Sequence, residues 1–149
     1  MKIRLFKLFL ILLFPAFIVG CSFTPTQTEK DIGSIVVNNL IVKAVNSTRD
    51  PVKTRDNMLA GIDVAESLLA GNPSEASADK IVDALYGQIN FDKMAPEDAG
   101  SLMQIKPMIK RDLVERFGIQ STSPLTPEQA ASIKEALDNL KVSLSFIKG

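Results

Sequence analysis

The part of the sequence that most constrains the fold is its end, where apolar side chains recur at alternating steps of three and four residues. This spacing follows the helical period, so the side chains form one stripe along a helix. Residues Thr126 to Gln129 (TPEQ) mark the helix start, because Thr and Gln three apart form a capping box and proline favours the first turn. The stripe is either core within the chain or the seam of a coiled-coil dimer, and the other helical segments favour core. Its members are Ala130, Ile133, Leu137, Leu140, Leu144 and Ile147.

Three further helices are predicted from their start and stop signals. The first begins after Asp50, an N-cap residue followed by proline, and ends at Gly71. The second covers about 77–89, with Ile81, Val82, Leu85 and Ile89 facing inward. The third covers 96–117 and stops at a glycine. These segments predict an all-α protein.

Two of these helices contain features that modify the simple pattern. In the helix after Asp50, Val64 and Leu68 lie opposite the main apolar stripe, which predicts that the helix is covered on two faces. In the helix over 96–117, we expect Pro107 to break or bend the backbone, because proline removes one amide donor and clashes with the carbonyl of Met103. The main stripe of the former helix is Val52, Arg55, Leu59, Ile62, Glu66 and Leu69.

The first element of the domain, Asp31 to Asn46, has two interpretations. Its aliphatic side chains surround a helical wheel, which indicates a buried helix. Many of them are β-branched, and residues 35–42 also fit two strands joined by a turn at Asn38 and Asn39. An isolated two-stranded hairpin is only marginally stable, so the helix is favoured.

The beginning of the chain has the pattern of a signal peptide. Three basic residues lie within the first seven, and Leu8 to Val19 is an unbroken apolar run. A membrane-spanning helix needs about 20 apolar residues, so this run of twelve is too short to be a permanent span. Gly20 and Cys21 follow, and Cys21 is the only cysteine in the chain.

The residues from Ile18 to Cys21 (IVGC) resemble the lipobox of bacterial lipoproteins. This resemblance implies cleavage between Gly20 and Cys21, a diacylglyceryl group on the Cys21 thiol, and a membrane anchor through that lipid. Because Ser22 rather than Asp follows the cysteine, the resemblance also implies the periplasmic face of the outer membrane in a Gram-negative host. The domain prediction is therefore a signal peptide over 1–20, an acylated tether over 21–28 and a helical domain over 29–149.

Composition excludes several classes of function. The chain of 149 residues has no histidine, and lipidation would consume its one thiol, so no imidazole base or cysteine nucleophile is available. Removal of residues 1–20 takes away three basic residues and no acid, which leaves 14 basic and 17 acidic residues. Such a chain has no excess of positive charge to attract nucleic acid. We predict no cofactor, no metal site and no enzymatic activity.

Charged clusters are interpreted as structural. Glu97 and Asp98 lie at a predicted helix start, where negative charge favours the helix dipole. Lys106, Lys110 and Arg111 form a basic patch beside acidic residues, which indicates a solvated face. The acidic residues do not follow the spacing of a calcium-binding loop.

Val142 and Phe146 are the candidate partner-binding residues. They lie four residues apart, away from the stripe of the last helix, and would form an apolar docking pair if exposed. Cover by the first helix is the alternative, and we favour it.

Together these features predict a small bundle of four to five helices after a cleaved signal peptide and a short tether. The function that fits best is a membrane-anchored, non-enzymatic interaction or scaffold module that binds another protein of the cell envelope. The alternative is a phage or prophage lipoprotein that acts in lysis or in superinfection exclusion.

Overall fold

The computed structural model describes residues 27–119 and 122–148, and within them the protein is an all-α bundle. Residues 35–42 lie inside the first helix, so the helical interpretation is confirmed and the described residues contain no strand. Short 3₁₀ turns at Pro73–Glu75 and Phe91–Lys93 precede the third and fourth helices. The five helices are α1 (Gln27–Asn46), α2 (Pro51–Gly71), α3 (Ala78–Gly87), α4 (Pro96–Phe117) and α5 (Pro127–Ser145).

The predicted start and stop signals lie at the helix ends. The Asp50 carboxylate accepts the Lys53 amide N–H at 3.0 Å at the start of α2. The Thr126 hydroxyl accepts the Gln129 amide at 3.2 Å, while the Gln129 side chain accepts the Thr126 amide at 2.9 Å, which completes the capping box of α5. Gly118 ends α4 with a left-handed φ of 62°, a conformation that glycine adopts without strain.

Of the two effects expected at Pro107, the break was wrong, because α4 runs through this residue from Pro96 to Phe117, and the bend stays a prediction. Pro107 is exposed, and the Met103 side chain is 48% exposed. The missing hydrogen bond therefore lies on the solvent side of α4, where water can satisfy the Met103 carbonyl.

The buried face of α2 differs from the predicted stripe and shares only Ile62 and Leu69 with it. Val64 is 40% exposed, so α2 is not covered on both sides by the described residues. The buried face of α2 is rotated from the predicted one because α3 packs directly on Gly61, a residue that the prediction did not count as apolar. An added Cβ at Gly61 would lie only 2.3 Å from the Leu85 carbonyl oxygen. The buried residues are Thr54, Met58, Gly61, Ile62, Ala65 and Leu69.

Helices that follow one another in the chain run antiparallel. Between α3 and α4, Lys106 pairs with Asp83 at 2.9 Å and Lys110 pairs with Asp79 at 2.6 Å. Between α2 and α5, an early residue of α2 meets a late residue of the chain, since the Arg55 guanidinium donates to the Ile147 carbonyl at 2.6 Å. Each helix therefore runs between the same two ends of the bundle.

We call the end at which α1 terminates the distal pole and the opposite end the proximal pole. The distal pole comprises 47–50, 88–95 and 146–148. The loop after α1 is joined to the adjacent start of α4 at this pole, because the Arg49 amide donates to the Asp98 carboxylate at 3.0 Å. The proximal pole comprises 72–77, 118–119 and 122–126, and it is joined by the Leu125 amide to the Pro73 carbonyl at 3.3 Å.

The stripe of α5 lies in the core of the same chain, as predicted. All six of its members are at most 5% exposed, and they pack with the inner faces of α1 to α4. Ile81, Val82, Leu85 and Ile89 are likewise buried, as predicted for the helix over 77–89. The core is built from aliphatic side chains, with Tyr86 as the one buried aromatic residue of the described part.

Candidate functional site

The predicted lipidation site, Cys21, and the predicted cleavage position after Gly20 lie outside the described residues. Helix α1 begins at Gln27, so the last two residues of the tether predicted over 21–28 are part of this helix. Among the helices that the structure describes, none combines the length and apolar character that crossing a bilayer requires.

Val142 and Phe146 are exposed on the outer side of α5. Val142 is 58% and Phe146 is 73% exposed, so the expected cover by α1 was wrong. The reason is the packing of α1, which lies chiefly against α4 rather than across α5. The two side chains lie on the side of α5 opposite its buried stripe, because helix positions separated by about half a turn point in opposite directions.

The end of α5 that carries this pair is fixed to α2. The Arg55 guanidinium donates to the Ile147 carbonyl immediately after Phe146. One turn earlier, the Lys141 ammonium lies 2.8 Å from Asp63 and 2.7 Å from Glu66, both on α2. Hydrogen bonds to these two carboxylates raise the pKa of Lys141, which therefore stays charged at neutral pH. The apolar pair thus lies on a helix end held in place by charged hydrogen bonds.

Polar and charged groups border this pair. Glu135 and Asn139 are exposed on the same side of α5 by helical spacing, and the exposed Lys148 follows Phe146 by two residues. The Asp138 carboxylate accepts from the Lys134 ammonium at 2.9 Å, which lowers the pKa of Asp138 and raises that of Lys134. The outer face of α5 is therefore an apolar pair bordered by polar groups and by charges of both signs.

The basic patch of α4 holds helices together. Lys106 and Lys110 form the ion pairs to α3 described above, and Lys106 also lies 5.7 Å from the centre of the Tyr86 ring. Arg111 lies 3.9 Å from Glu115 on the next turn of the same helix. Each cation of the patch faces an acid, as the interpretation of a solvated face requires.

Glu97 and Asp98 connect the start of α4 to the loop between α1 and α2. Asp98 is buried and accepts the Arg49 amide, while Glu97 pairs with the Arg49 guanidinium. A hydrogen bond with its own backbone amide, together with Arg49, lowers the pKa of Glu97. Within the described residues, no three His, Cys, Asp or Glu side chains are grouped so that they could hold a metal ion.

A polar cleft at the distal pole is a feature that the sequence analysis missed. It has a volume of about 330 Å³. Its wall comes from the loop after α1, the first turns of α2 and the connection between α3 and α4, so no continuous motif could reveal it. The residues that line it are Arg49, Asp50, Lys53, Thr54, Asn57, Asn90, Lys93, Met94, Ala95 and Asp98.

Comparisons with protein-family models, with curated proteins and with solved structures give no match to this chain. The functional assignment therefore depends on the residues and geometry described above.

Proposed function

We propose that this protein is a lipid-anchored, non-enzymatic interaction module of the cell envelope, and that it docks a protein partner on the outer face of α5. The observation that carries the proposal is the 73% exposure of Phe146 on a helix end that is fixed to α2. Large exposed apolar side chains held on an ordered element are typical of docking sites, since burial against a partner is then favourable without a cost for ordering the helix.

The position of this pair supports docking away from the membrane. Five residues separate Cys21 from the start of α1, so the six steps between them correspond to at most about 22 Å of extended chain. The 20 residues of α1 then span about 30 Å towards the distal pole. Phe146 belongs to that pole, so a partner on this face would meet the end of the bundle that is remote from the anchor.

The anchor is tested by replacing the one cysteine. In Cys21→Ser we expect a precursor that is neither lipidated nor cleaved after Gly20, because the thiol that receives the lipid is absent. Membrane fractionation, mass spectrometry of the product and metabolic labelling with a fatty acid report the outcome. Normal processing of Cys21→Ser would contradict the lipoprotein assignment.

The docking face is tested by crosslinking in living cells, followed by mass spectrometry of the captured proteins. We compare the unmodified protein with Phe146→Asp and with Met103→Asp, a matched control that replaces another large exposed apolar side chain, on α4, by the same charge. We expect one dominant envelope partner that Phe146→Asp loses and Met103→Asp retains. Capture of the same partners by all three proteins would exclude Phe146 as the docking residue.

A further inference from the structure

Cationic side chains line the distal-pole cleft together with two carboxylates. The cations are Arg49, Lys53 and Lys93. The carboxylates accept hydrogen bonds from the backbone, Asp50 from the Lys53 amide and Asp98 from the Arg49 amide. Within the described part of the chain, neither the Lys53 nor the Lys93 ammonium has an ion-pair partner. The cleft therefore contains two ammonium groups that form no ion pair with its own acids.

Two amide side chains add neutral hydrogen-bonding groups. Asn57 comes from α2, and Asn90 precedes the 3₁₀ turn after α3. Asn90 makes no capping bond with that turn, although it occupies the capping position. Neither amide has a hydrogen-bond partner among the residues that the structure describes. Each can donate two N–H groups to a ligand in the cleft.

Hydrogen bonds connect the residues at the floor of the cleft. The Thr54 hydroxyl is buried, donates to the Asp50 carbonyl at 2.9 Å and accepts from the Thr48 hydroxyl at 3.1 Å. Asp98 joins this floor to the start of α4 through the Arg49 amide. The free cations and amides therefore stand around a fixed base, and the volume of about 330 Å³ lies at the lower end of the range for small-ligand sites.

We propose that this cleft binds the phosphate group of a small phosphorylated molecule. A phosphate carries up to two negative charges and three terminal oxygens, so it suits several separate donors that approach from different directions. Lysine binds phosphate as a point charge, whereas a lone carboxylate is matched best by the planar fork of arginine. The Arg49 guanidinium already pairs with Glu97, which leaves the two lysines and the two amides for the ligand.

This site is independent of the lipid anchor and of docking at Phe146. It uses residues from α2 and from the α3–α4 connection, whereas the docking face belongs to α5. Failure of either proposal leaves the other unchanged, because the two tests measure different ligands on different surfaces.

The test is a titration of the protein as it is isolated from cells, in detergent micelles, followed by the backbone amide signals in ¹H–¹⁵N NMR spectra. The probes are glucose 1-phosphate, inorganic phosphate and, for comparison, acetate at the same ionic strength. We expect saturable shifts of the Lys53, Asn90 and Lys93 amides with both phosphates and no saturation with acetate. Tighter binding of glucose 1-phosphate than of inorganic phosphate would identify a phosphate ester as the ligand, and equal binding would identify free phosphate.

The variants compare removal of charge inside and outside the cleft. In the double variant Lys53→Gln/Lys93→Gln we expect affinity for phosphate to fall by about tenfold or more, since hydrogen bonds to charged groups are the stronger ones. Lys80→Gln removes an exposed lysine at the start of α3, towards the proximal pole, and should leave the affinity unchanged. Absence of saturable shifts, equal binding of acetate, or unchanged affinity in the double variant would each overturn the proposal.

Discussion

Two helix pairs of this bundle are held together in different ways. Between α2 and α3 the backbones touch, because Gly61 lies against Leu85 with no room for a Cβ atom. Between α1 and α4 the helices leave a groove of about 40 Å³, to which α5 and α3 also contribute lining residues, and the ion pair of Asp112 and Arg116, both on α4, lies in its wall. The groove is lined on the α1 side by Val37, Asn38 and Ile41.

The two contacts should respond to different substitutions. At the α2–α3 contact the two backbones meet closely, so an added methyl group should harm it more than a lost charge. The wall of the α1–α4 groove contains a buried charge pair formed within α4, with the Arg116 side chain 9% and the Asp112 side chain 19% exposed. Burial of charge is costly unless each partner compensates the other, and the Arg116 Nε atom is buried without a hydrogen-bond partner among the described residues. The stability of the bundle at this groove should therefore depend on charge and pH.

The largest predicted effect is that of Gly61→Ala. The new Cβ would require the α2 and α3 backbones to separate, so we expect the free energy of unfolding to fall by about 3 kcal/mol. Urea unfolding followed by circular dichroism measures this loss.

Gly100→Ala is the matched control for Gly61→Ala. Gly100 is exposed inside α4, and a Cβ there meets nothing within 4 Å. Since alanine favours helix over glycine, the same substitution should stabilise the protein at this position by about 0.5–1 kcal/mol. Equal effects at the two glycines would contradict the close contact of α2 with α3.

The second prediction concerns Arg116→Met, which removes the cation of the α1–α4 groove. Asp112 would then be a largely buried charge without a partner, and we expect a loss of about 2 kcal/mol at pH 7. Burial raises the pKa of Asp112 and the charge of Arg116 opposes that rise, so the pKa should be higher still in the variant. When the pKa of a carboxyl group is raised in the folded protein, the resulting stability is present at low pH and is lost as the pH rises through that pKa. The difference in free energy of unfolding between Arg116→Met and the unmodified protein should therefore become smaller as the pH is lowered.

Urea unfolding at pH 7 and at pH 4 measures how much the difference in free energy of unfolding decreases. The double variant Asp112→Leu/Arg116→Met removes both charges and should recover most of the lost stability, because no unpaired charge remains buried. A deficit of the same size at both pH values would show that Arg116 acts through packing rather than through charge.

Local signals in the sequence predict the helices well, and long-range packing explains what they miss. Asp50, Gly118 and the TPEQ capping box each act within one turn, so they were sufficient to place the ends of three helices. The buried face of α2 was predicted wrongly because the role of Gly61 depends on the backbone of α3, some 20 residues later in the chain.

The docking face of α5 and the distal-pole cleft also depend on long-range packing that local sequence signals do not reveal. The four-residue spacing of Val142 and Phe146 places them together on α5, but their exposure depends on where α1 packs. The distal-pole cleft combines Lys53 with Asn90 and Lys93, which are remote in sequence and follow no motif. Only the tertiary structure brings these three side chains to one place.

The third and smallest predicted effect tests the contact that joins the two helix pairs, where Tyr86 of α3 meets α4. The buried Tyr86 hydroxyl donates to the Leu102 carbonyl at 3.0 Å, so we expect Tyr86→Phe to lose about 1 kcal/mol at pH 7. Burial raises the pKa of Tyr86 well above its ordinary value of about 10. The stability that this group contributes is therefore fully present below about pH 10 and is lost as the pH rises towards the pKa of the folded protein.

Tyr86 is the only tyrosine in the chain, so the absorbance of tyrosinate reports this one contact. We expect that absorbance to appear together with the loss of helical circular dichroism as the pH is raised, because the folded protein keeps the hydroxyl protonated. Above pH 10 the advantage of the unmodified protein over Tyr86→Phe should shrink. Tyrosinate that forms near pH 10 while the helices remain intact would instead mean that the α3–α4 contact opens to water independently of the α2–α3 contact, and the α2–α3 contact alone would then hold α3 in the bundle.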